Sequence, residues 1–331
     1  MKIIYVLVCE KESYLIEQLL LSLYSLKRYN DNEVFIISDR LTSNIIADTL
    51  CMQYITDIIV VDVPNEFDTV NRSRFIKTNL RNYVVGDFLF IDIDTVIVQK
   101  LPFEKISCEM GLVWDSHCTY QKHPYRDNIN QKLVQISATI SDEVNMGYFN
   151  SGVMYVKDTK NTRDFFTCWH REWLNNRDKG IVIDQPFFVK AQMQNPGLVK
   201  NISNLWNCQL RCGVNYLSEA YIIHFLGFKS YSLLSTLHFL QYVRENGLDE
   251  TVKNAVEEVK SSIPSLHCIV YDDDYYFNCT DEYNEYKKIY KENLSHKKIS
   301  ELFLQKYIKN AHNKLQRRFA RLLIYLIKHC L

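Results

Sequence analysis

Apolar segments and segments with helical spacing alternate through the first hundred residues of the chain. The predicted strands cover residues 2–8, 33–38, 57–63 and 88–91, and the predicted helices cover residues 13–29, 43–51 and 72–83, with Ser13 as the first N-cap. Strands that are apolar throughout are buried on both faces, so this alternation predicts a mainly parallel sheet with helices on each side. Ligands of such sheets bind beyond the carboxyl ends of the strands. The sequence therefore predicts an α/β fold with a site at that edge of the sheet.

The pattern becomes less regular after residue 98. Strands are predicted at residues 110–114, 152–156 and 221–225, and helices at residues 162–174 and 184–192. From about residue 231 the spacing of apolar residues is mostly helical. We therefore expect one α/β domain over residues 1–230, followed by a mostly helical C-terminal region over residues 231–331.

The C-terminal segment 296–331 is strongly basic. It contains nine Lys or Arg residues and one acidic residue, Glu301, although the chain of 331 residues has a formal net charge of zero. Apolar residues recur in it at helical spacing: Leu304, Ile308, Ala311, Leu315, Phe319, Leu322 and Leu326. A basic amphipathic helix is typical of a segment lying on an anionic membrane, and the alternative is a helix packed on the acidic body. Nucleic acid is not an expected partner, because the body is acidic and no groove-reading motif is present.

The apolar run at the N-terminus is short. It covers residues 3–8 and is followed at once by Glu10, Lys11 and Glu12, whereas a signal peptide needs about 7–15 apolar residues. No apolar stretch reaches the ~18–20 residues of a membrane-spanning helix. The sequence therefore predicts a cytoplasmic protein, with peripheral contact at the inner face of the membrane through residues 296–331.

Two carboxylates follow the most apolar of the predicted strands. Asp92 and Asp94 lie directly after residues 88–91, separated by Ile93. In an extended chain, residues two apart point to the same side, so we expect both carboxylates to face one way and Ile93 to face the core. Two close carboxylates are costly to bury, and a divalent cation such as Mn²⁺ or Mg²⁺ would compensate them. The alternative is a pair of exposed acids at the end of a strand.

The segment 73–98 around these aspartates resembles the central part of GT-A glycosyltransferases, in particular the retaining family 8 enzymes, which include glycogenins and bacterial surface-glycan galactosyl- and glucosyltransferases. Three further motifs resemble those of the family in the same order: FNSGV at 149–153, DQ at 184–185 and HFLGFK at 224–229. The likeness covers about residues 1–230. It implies a Rossmann-like GT-A fold, with a mixed sheet flanked by helices and a C-terminal helical extension.

The resemblance also implies roles for individual residues. Asp92, Asp94 and His224 would bind the metal, although a strand-end histidine can also be an ordinary core residue. The residues implied in binding the sugar-nucleotide donor are Arg74, Lys77, Asp92, Asp115, Asn150, Ser151, Gly227 and Lys229. Asp184 would bind the sugar, and Gln185 would lie near the reacting carbon.

The same residues also have structural interpretations. Arg74 and Lys77 can form a solvated basic helix face, and Asp184 can be a helix N-cap. Asn150 and Ser151 are expected at a turn that leads into a strand. In the HFLGFK segment a single residue separates Gly227 from Lys229, where the family has two.

The implied reaction is the transfer of a hexose from a UDP-sugar to a hydroxyl of a glycan or lipid-linked acceptor, with retention of anomeric configuration, in surface polysaccharide biosynthesis. One alternative is a non-catalytic protein that binds UDP-sugars or glycans with the same fold. A second is a sugar-nucleotide pyrophosphorylase, which should carry a glycine-rich loop after the first strand. The segment CEKESYLIEQ at that place contains no glycine.

Overall fold

Seven strands form the central sheet of the structure, a computed structural model that describes residues 1–10, 13–140, 146–211, 214–227, 232–263, 269–272 and 275–277. Lys229 and the basic segment 296–331 lie outside the described residues.

The strands are β1 (Lys2–Val6), β2 (Val34–Ser38), β3 (Asp57–Val60), β4 (Phe88–Ile91), β5 (Thr95–Ile97), β6 (Met110–Trp114), β7 (Phe149–Val156), β8 (Val199–Asn201), β9 (Cys208–Gln209), β10 (Ile222–His224), β11 (Ile269–Asp272) and β12 (Tyr275–Phe277). The α-helices are α1 (Leu15–Lys27), α2 (Arg40–Ala47), α3 (Thr69–Thr78), α4 (Leu80–Tyr83), α5 (Arg126–Gln135), α6 (Lys160–Asn176), α7 (Gln185–Gln194), α8 (Leu237–Asn246), α9 (Glu250–Glu257) and α10 (Val259–Ser262).

The central sheet has the strand order β3-β2-β1-β4-β7-β6-β8. Strands β3, β2, β1 and β4 are mutually parallel, β7 runs antiparallel between β4 and β6, and β8 is parallel to β6. The parallel half corresponds to the alternating segments of the sequence, whose strands β1 and β4 are almost completely buried. The predicted α/β fold, with a mixed sheet flanked by helices, is confirmed.

A second, three-stranded sheet joins two distant parts of the chain. Its order is β5-β10-β9, with β5 antiparallel and β9 parallel to β10. Strands β4 and β5 are separated by only Asp92, Ile93 and Asp94, yet they belong to different sheets. His224 pairs with Thr95 across the β10–β5 ladder. This register brings a histidine from late in the chain beside the two aspartates.

Buried hydroxyl groups attach the small sheet to helix α1. The Ser22 hydroxyl lies 3.0 Å from both the Tyr5 hydroxyl and the Thr95 hydroxyl. The Ser25 hydroxyl accepts a hydrogen bond from the Ile97 amide at 2.9 Å. Because an unpaired buried hydroxyl is costly, these mutual contacts fix β5 against α1 and thereby fix the bend that precedes it.

Several helices do not begin where the sequence predicts; α3, for example, begins at Thr69 rather than residue 72, and α6 at Lys160 rather than residue 162. Helix α1 begins at Leu15, and its N-cap position is Tyr14, which makes no side-chain cap, rather than Ser13. Helix α2 begins at Arg40, three residues before the predicted start, because the Asp39 carboxylate accepts a hydrogen bond from the Thr42 amide at 2.7 Å. An aspartate that caps in this way satisfies an amide that has no partner within the helix.

The first compact unit covers Met1–Ser265. It extends past residue 230 because helices α8 and α9 pack against α1. The division of function between residues 1–230 and 231–331 stays a prediction. In the unit that begins at Leu266, the described residues form the antiparallel pair β11 and β12. Among the residues that the structure describes, no helix is both long enough and apolar enough to span a bilayer.

Aromatic side chains from α6 and α7 fill the core on one face of the sheet. Trp169 is fully buried and packs against Phe166, with ring centroids 5.6 Å apart, and against Phe188, at 5.0 Å. Its indole N–H donates to the backbone oxygen of Asp184 at 3.3 Å. Trp169 therefore connects the hydrophobic core to the residue that precedes α7.

Replacing this side chain tests the packing argument. We expect Trp169→Ala to lower the free energy of unfolding by about 3–5 kcal/mol, because truncating a buried aromatic residue removes its contacts and leaves a cavity. Urea denaturation followed by circular dichroism measures the change. Val182→Ala, at a side chain that is 65% exposed, should change the stability by less than about 0.5 kcal/mol. Equal effects of the two changes would contradict the assignment of Trp169 to the core.

Candidate active site

Three potential metal ligands converge where β4 ends. Asp92 and Asp94 lie in the bend between β4 and β5, and His224 is the last residue of β10. Their ligand atoms all lie within 4.8 Å of one another, and His224 Nε2 is 3.2 Å from Asp94 Oδ1. Two carboxylates and one imidazole form a donor set that suits a cation such as Mn²⁺. The three residues predicted as ligands are therefore brought together.

The carboxylates converge through a bend rather than through the alternation of a continuous strand. The Asp92 amide donates to the Gly152 oxygen at 2.7 Å, and the Thr95 hydroxyl donates to the Asp92 oxygen at 2.8 Å. Ile93 is only partly buried and lines the adjacent cleft. The expectation that Ile93 faces the core is therefore wrong, because β4 ends before it.

Asp94 and His224 stabilise each other's charge. Burial by itself would raise the pKa of Asp94, but the charge and hydrogen bond of His224 and the Gly227 amide outweigh it, and the pKa is lowered. Burial likewise lowers the pKa of His224, but Asp94 outweighs this effect and the pKa is raised. The Gly227 amide donates to Asp94 Oδ2 at 2.5 Å. The backbone φ of Gly227 is +92°, a conformation that glycine adopts without strain.

Gly152 makes the close approach of these groups possible. A Cβ atom at this position would lie 2.3 Å from His224 Cε1 and 2.9 Å from Asp92 Oδ2. Both distances are too short for any side chain. Strand β7 can therefore pass behind the ligands only with glycine at this position.

Lys77 lies inside the site. Its side chain is 4% exposed, and its ammonium group lies 3.1 and 3.2 Å from the two Asp92 oxygens and 3.9 Å from Asp184 Oδ2. The same group lies 4.9 Å from the centre of the Phe90 ring. Lys77 is thus a buried cation shared by two carboxylates, and the interpretation as part of a solvated helix face does not describe it.

Asp184 turns its carboxylate into the site instead of capping α7. It occupies the N-cap position but makes no side-chain cap, and Oδ2 accepts from the Ser151 hydroxyl at 2.8 Å. Oδ1 lies 3.8 Å from Arg74 Nε. Burial would raise the pKa of Asp184, but Lys77, Arg74 and Ser151 together lower it. Gln185, the first residue of α7, follows directly and is partly buried.

A second acidic group lies on the other side of β7. The Asn150 amide group donates to Asp115 Oδ1 at 2.9 Å, and His123 Nε2 lies 2.9 Å from Asp115 Oδ2. Burial would raise the pKa of Asp115, but its hydrogen bond and charge interaction with His123 lower it.

Asn150 and Ser151 are buried within β7, so the expectation that they lie at a turn is wrong. Strand β7 begins at Phe149 because β6 pairs with it up to that residue.

Sequence reasoning missed Asn207. Its side-chain oxygen lies 3.0 Å from His224 Nδ1, and its amide group donates to Asn150 Oδ1 at 3.0 Å. A sequence pattern that could have identified Asn207 is present in the segment WNCQL, where the polar residues Asn207 and Gln209 alternate with apolar ones. Alternation of this kind predicts two side chains on one face of an extended segment. Here that face points inward, which no local pattern indicates.

A cleft lined by two of the three ligands lies next to a second cleft that none of them lines. One, of about 310 Å³, is lined by Asp92 and Asp94 together with Val8, Gln18 and Arg74. Gln18 is 4% exposed, and its amide nitrogen has no hydrogen-bond partner among the residues described. The other cleft, of about 730 Å³, is lined in part by Asp39 and Arg72, which form an ion pair at 2.6 Å. Thr69 lines both clefts.

The chain was compared with known proteins. No family model matches the sequence, and no curated protein matches it. Among solved structures, it is similar to the galactosyltransferase LgtC in complex with donor and acceptor sugar analogues, at 14% identity over 77% of this chain and 100% of the other, with a TM-score of 0.49. It is also similar to mouse xyloside xylosyltransferase 1, at 16% identity over 67% and 96%, with a TM-score of 0.44. A third similar structure is the bifunctional glycosyltransferase WbbM, at 12% identity over 78% of this chain and 51% of the other, with a TM-score of 0.48.

Gly152→Ala tests the geometry of the three ligands. Because the added methyl group would overlap His224 and crowd Asp92, we expect the variant to bind Mn²⁺ at least ~10-fold more weakly than the parent chain, a loss of about 1.4 kcal/mol. Isothermal titration calorimetry measures the affinity. Gly197→Ala is the control, since Gly197 has a φ of +78° but open space around it in the turn before β8. That variant should lose stability and keep its Mn²⁺ affinity, and the same loss of affinity in both would refute the steric argument.

His117 makes stability depend on pH. Burial lowers the pKa of His117 to about 4, and its Nε2 accepts from the Gln209 amide at 2.9 Å. In the unfolded chain His117 takes up a proton below a pH of about 6.5, whereas in the folded chain it does so only near 4. Protonation in the unfolded chain therefore lowers the free energy of unfolding as the pH falls from about 6.5 to about 4. Between pH 7 and pH 5 we expect His117 to reduce the free energy of unfolding by about 2 kcal/mol.

The control variant is His117→Gln, whose side-chain oxygen can accept the same hydrogen bond but does not titrate. Urea denaturation at the two pH values should show a smaller decrease for this variant than for the parent chain. An identical decrease in both would rule out His117 as the source.

Proposed function

We propose that this protein is a metal-dependent glycosyltransferase that moves a hexose from a UDP-sugar to a hydroxyl of a glycan or lipid-linked acceptor. The observation that carries the proposal is the convergence of Asp92, Asp94 and His224 at the carboxyl end of β4, beside a cleft. Ligands of open α/β sheets bind at that edge, and small-molecule sites have volumes of about 300–1,000 Å³. The metal is proposed to be Mn²⁺ or Mg²⁺.

The residues that line the cleft fit a nucleoside diphosphate. Arg74 lies with Asp92 and Asp94 along its wall, so a cationic fork faces the place where a metal-bound diphosphate would lie. Apolar side chains such as Val8 and Leu15 complete the wall and suit a planar base. A divalent cation bound there would act as a Lewis acid and neutralise charge on the departing nucleotide. We propose that Arg74 also stabilises the negative charge on the departing nucleotide.

The polar residues beyond Lys77 fit a sugar. Asp184 and Ser151 form one hydrogen-bonded pair, and Asp115 and Asn150 form another. These groups can accept from and donate to the hydroxyls of a hexose once their present partners rearrange. Gln185 adjoins this group and is proposed to lie near the reacting carbon. We propose that Asp184, held between Arg74 and Lys77, keeps these two cations in position.

Retention of anomeric configuration is part of the proposal. A retaining double displacement needs a carboxylate nucleophile close to the reacting carbon. The pKa of Asp184 is lowered, so the group is ionised, but both its oxygens already face partners in Ser151 and Arg74. We therefore favour attack by the acceptor from the same face as the leaving group, beside Gln185.

A second candidate is a non-catalytic protein that binds UDP-sugars. Lys77 already lies 3.1 Å from Asp92, and His224 lies 3.2 Å from Asp94. Both aspartates therefore have a partner that stabilises their charge without a metal, the Lys77 ammonium for Asp92 and the His224 ring for Asp94. A protein of this kind would bind the donor but would not cleave it.

The acceptor and the cellular location are proposed from the sequence. A basic amphipathic segment at 296–331 suits a lipid-linked acceptor at the inner face of a membrane. A role in surface polysaccharide biosynthesis would follow from such an acceptor. Lys229 is proposed to contact the diphosphate as a point charge.

Release of UDP from a panel of UDP-sugars, with Mn²⁺ and then with EDTA, tests the function. We expect release from one sugar that requires the metal and falls at least ~100-fold in Asp94→Asn, because a bound cation contributes several kcal/mol to charge stabilisation. Asp178→Asn, at a side chain that is 87% exposed, is the matched control and should keep the parent rate.

The other outcomes separate the two candidates. Tight binding of UDP without release from any sugar, in the presence of simple glycan acceptors, would support the non-catalytic protein. Absence of both binding and release would contradict both candidates.

A further inference from the structure

One continuous chain of hydrogen bonds connects the proposed metal site to the proposed sugar site. It runs from His224 Nδ1 to Asn207, at 3.0 Å, from Asn207 to Asn150, at 3.0 Å, and from Asn150 to Asp115, at 2.9 Å. Asn207 is completely buried, and it belongs to none of the motifs that the sequence analysis identified. It cannot touch a substrate, so its role has to be exerted through its neighbours.

The direction of every hydrogen bond in this chain is fixed by one backbone group. The Gly152 N–H lies 3.0 Å from Asn150 Oδ1, and a backbone N–H can only donate. Asn150 must therefore turn its oxygen toward Gly152 and its NH₂ group toward Asp115. An ionised Asp115 carboxylate, which can only accept, requires the same orientation.

The orientation of Asn150 then determines that of Asn207. Asn150 Oδ1 is an acceptor, so Asn207 must present its NH₂ group to it. This leaves the Asn207 oxygen facing His224 Nδ1, and an oxygen of that kind can only accept. His224 Nδ1 must therefore carry a hydrogen. The remaining ring nitrogen, Nε2, is the one that faces Asp94.

We propose that Asn207 is a positioning residue, which holds His224 in the Nδ1–H form and thereby keeps the Nε2 lone pair available to a metal ion. The inference rests on the proposed metal site and deepens it. A histidine that ligates a metal through one nitrogen commonly donates its other N–H to a carbonyl or carboxylate oxygen, and loss of that partner weakens metal binding by about 10–100-fold. Here the partner is a side-chain amide whose own orientation depends on β7.

The same connection relates metal binding to sugar binding. Asn150 is shared, because its oxygen accepts from both Gly152 and Asn207 while its NH₂ group holds Asp115. A change at Asn207 should therefore affect both sites, and the two effects can be separated by the choice of variant. Asn207→Leu removes both hydrogen bonds and keeps the same branching and number of side-chain heavy atoms. Asn207→Asp keeps an acceptor for His224 but places a second oxygen against Asn150 Oδ1.

Mn²⁺ affinity, measured by isothermal titration calorimetry on the full chain, tests the proposal. We expect Asn207→Leu to bind Mn²⁺ about 10–100-fold more weakly, and Asn207→Asp to stay within about 3-fold of the parent chain or to bind more tightly. The matched control is Asn176→Leu, because Asn176 is a buried asparagine in α6 that bonds to the Glu172 oxygen. This control accounts for the general cost of losing a buried amide. Unchanged affinity in a folded Asn207→Leu variant would overturn the proposal.

A second measurement needs no metal. Nitrogen-15 NMR of histidine-labelled protein, at a pH where His224 is neutral, reports which ring nitrogen carries the hydrogen. We expect Nδ1–H in the parent chain and a shift toward Nε2–H in Asn207→Leu, where Asp94 is the remaining partner. Nε2–H in the parent chain would overturn the proposal.

The two measurements also separate this proposal from the proposed function. If the parent chain bound no Mn²⁺, the metal-dependent transferase would fail, and so would the part of this proposal that concerns the metal. The tautomer result would still show whether Asn207 directs the His224 ring.

Discussion

The central constraint in this structure is the burial of several carboxylates within a few ångströms of one another. The side chains of Asp184, Asp94 and Asp92 are only 5%, 16% and 32% exposed, so each requires a partner of opposite charge or a hydrogen-bond donor. Lys77 and Arg74 supply charge from α3, and His224 supplies it from β10. Removal of one member of a buried ion pair typically costs about 3–5 kcal/mol, because the other charge is left uncompensated. The elements that carry these residues are therefore held to one another by the site itself.

The topology satisfies this constraint by ending a strand early. β4 belongs to the large sheet and β5 to the small one, and the three residues between them turn two carboxylates toward a common point. The hydroxyl contacts of α1 fix β5, and the ladder between β5 and β10 fixes His224 opposite Thr95. Glycine is required behind the ligands at position 152 because no side chain fits there. The geometry of the site is thus a consequence of backbone pairing more than of flexible side chains.

Local sequence patterns predicted those strands and site positions that are determined by residues nearby in the sequence. The four parallel strands, the position of Asp92 and Asp94, and the strand that carries His224 follow from apolar runs and from what interrupts them. The patterns failed where a distant segment decides the outcome. Asp184 occupies an N-cap position, yet Lys77 and Arg74 on another helix attract its carboxylate. The extension of β7 to Phe149 depends on its partner β6, and Asn207 acquires its role only when β9 pairs beside β10.

The balance of charge in the site bears on how metal and nucleotide would bind. Asp92, Asp94 and Asp184 bring three negative charges to the site and Lys77 and Arg74 bring two positive ones, so these groups carry a net charge of −1 when His224 is neutral. A divalent cation would change this to about +1, since metal ligation requires neutral imidazole. A positive site of this kind favours an anionic diphosphate, and the diphosphate in turn favours the cation. We infer that the two would bind with positive coupling, because each compensates charge that the other introduces.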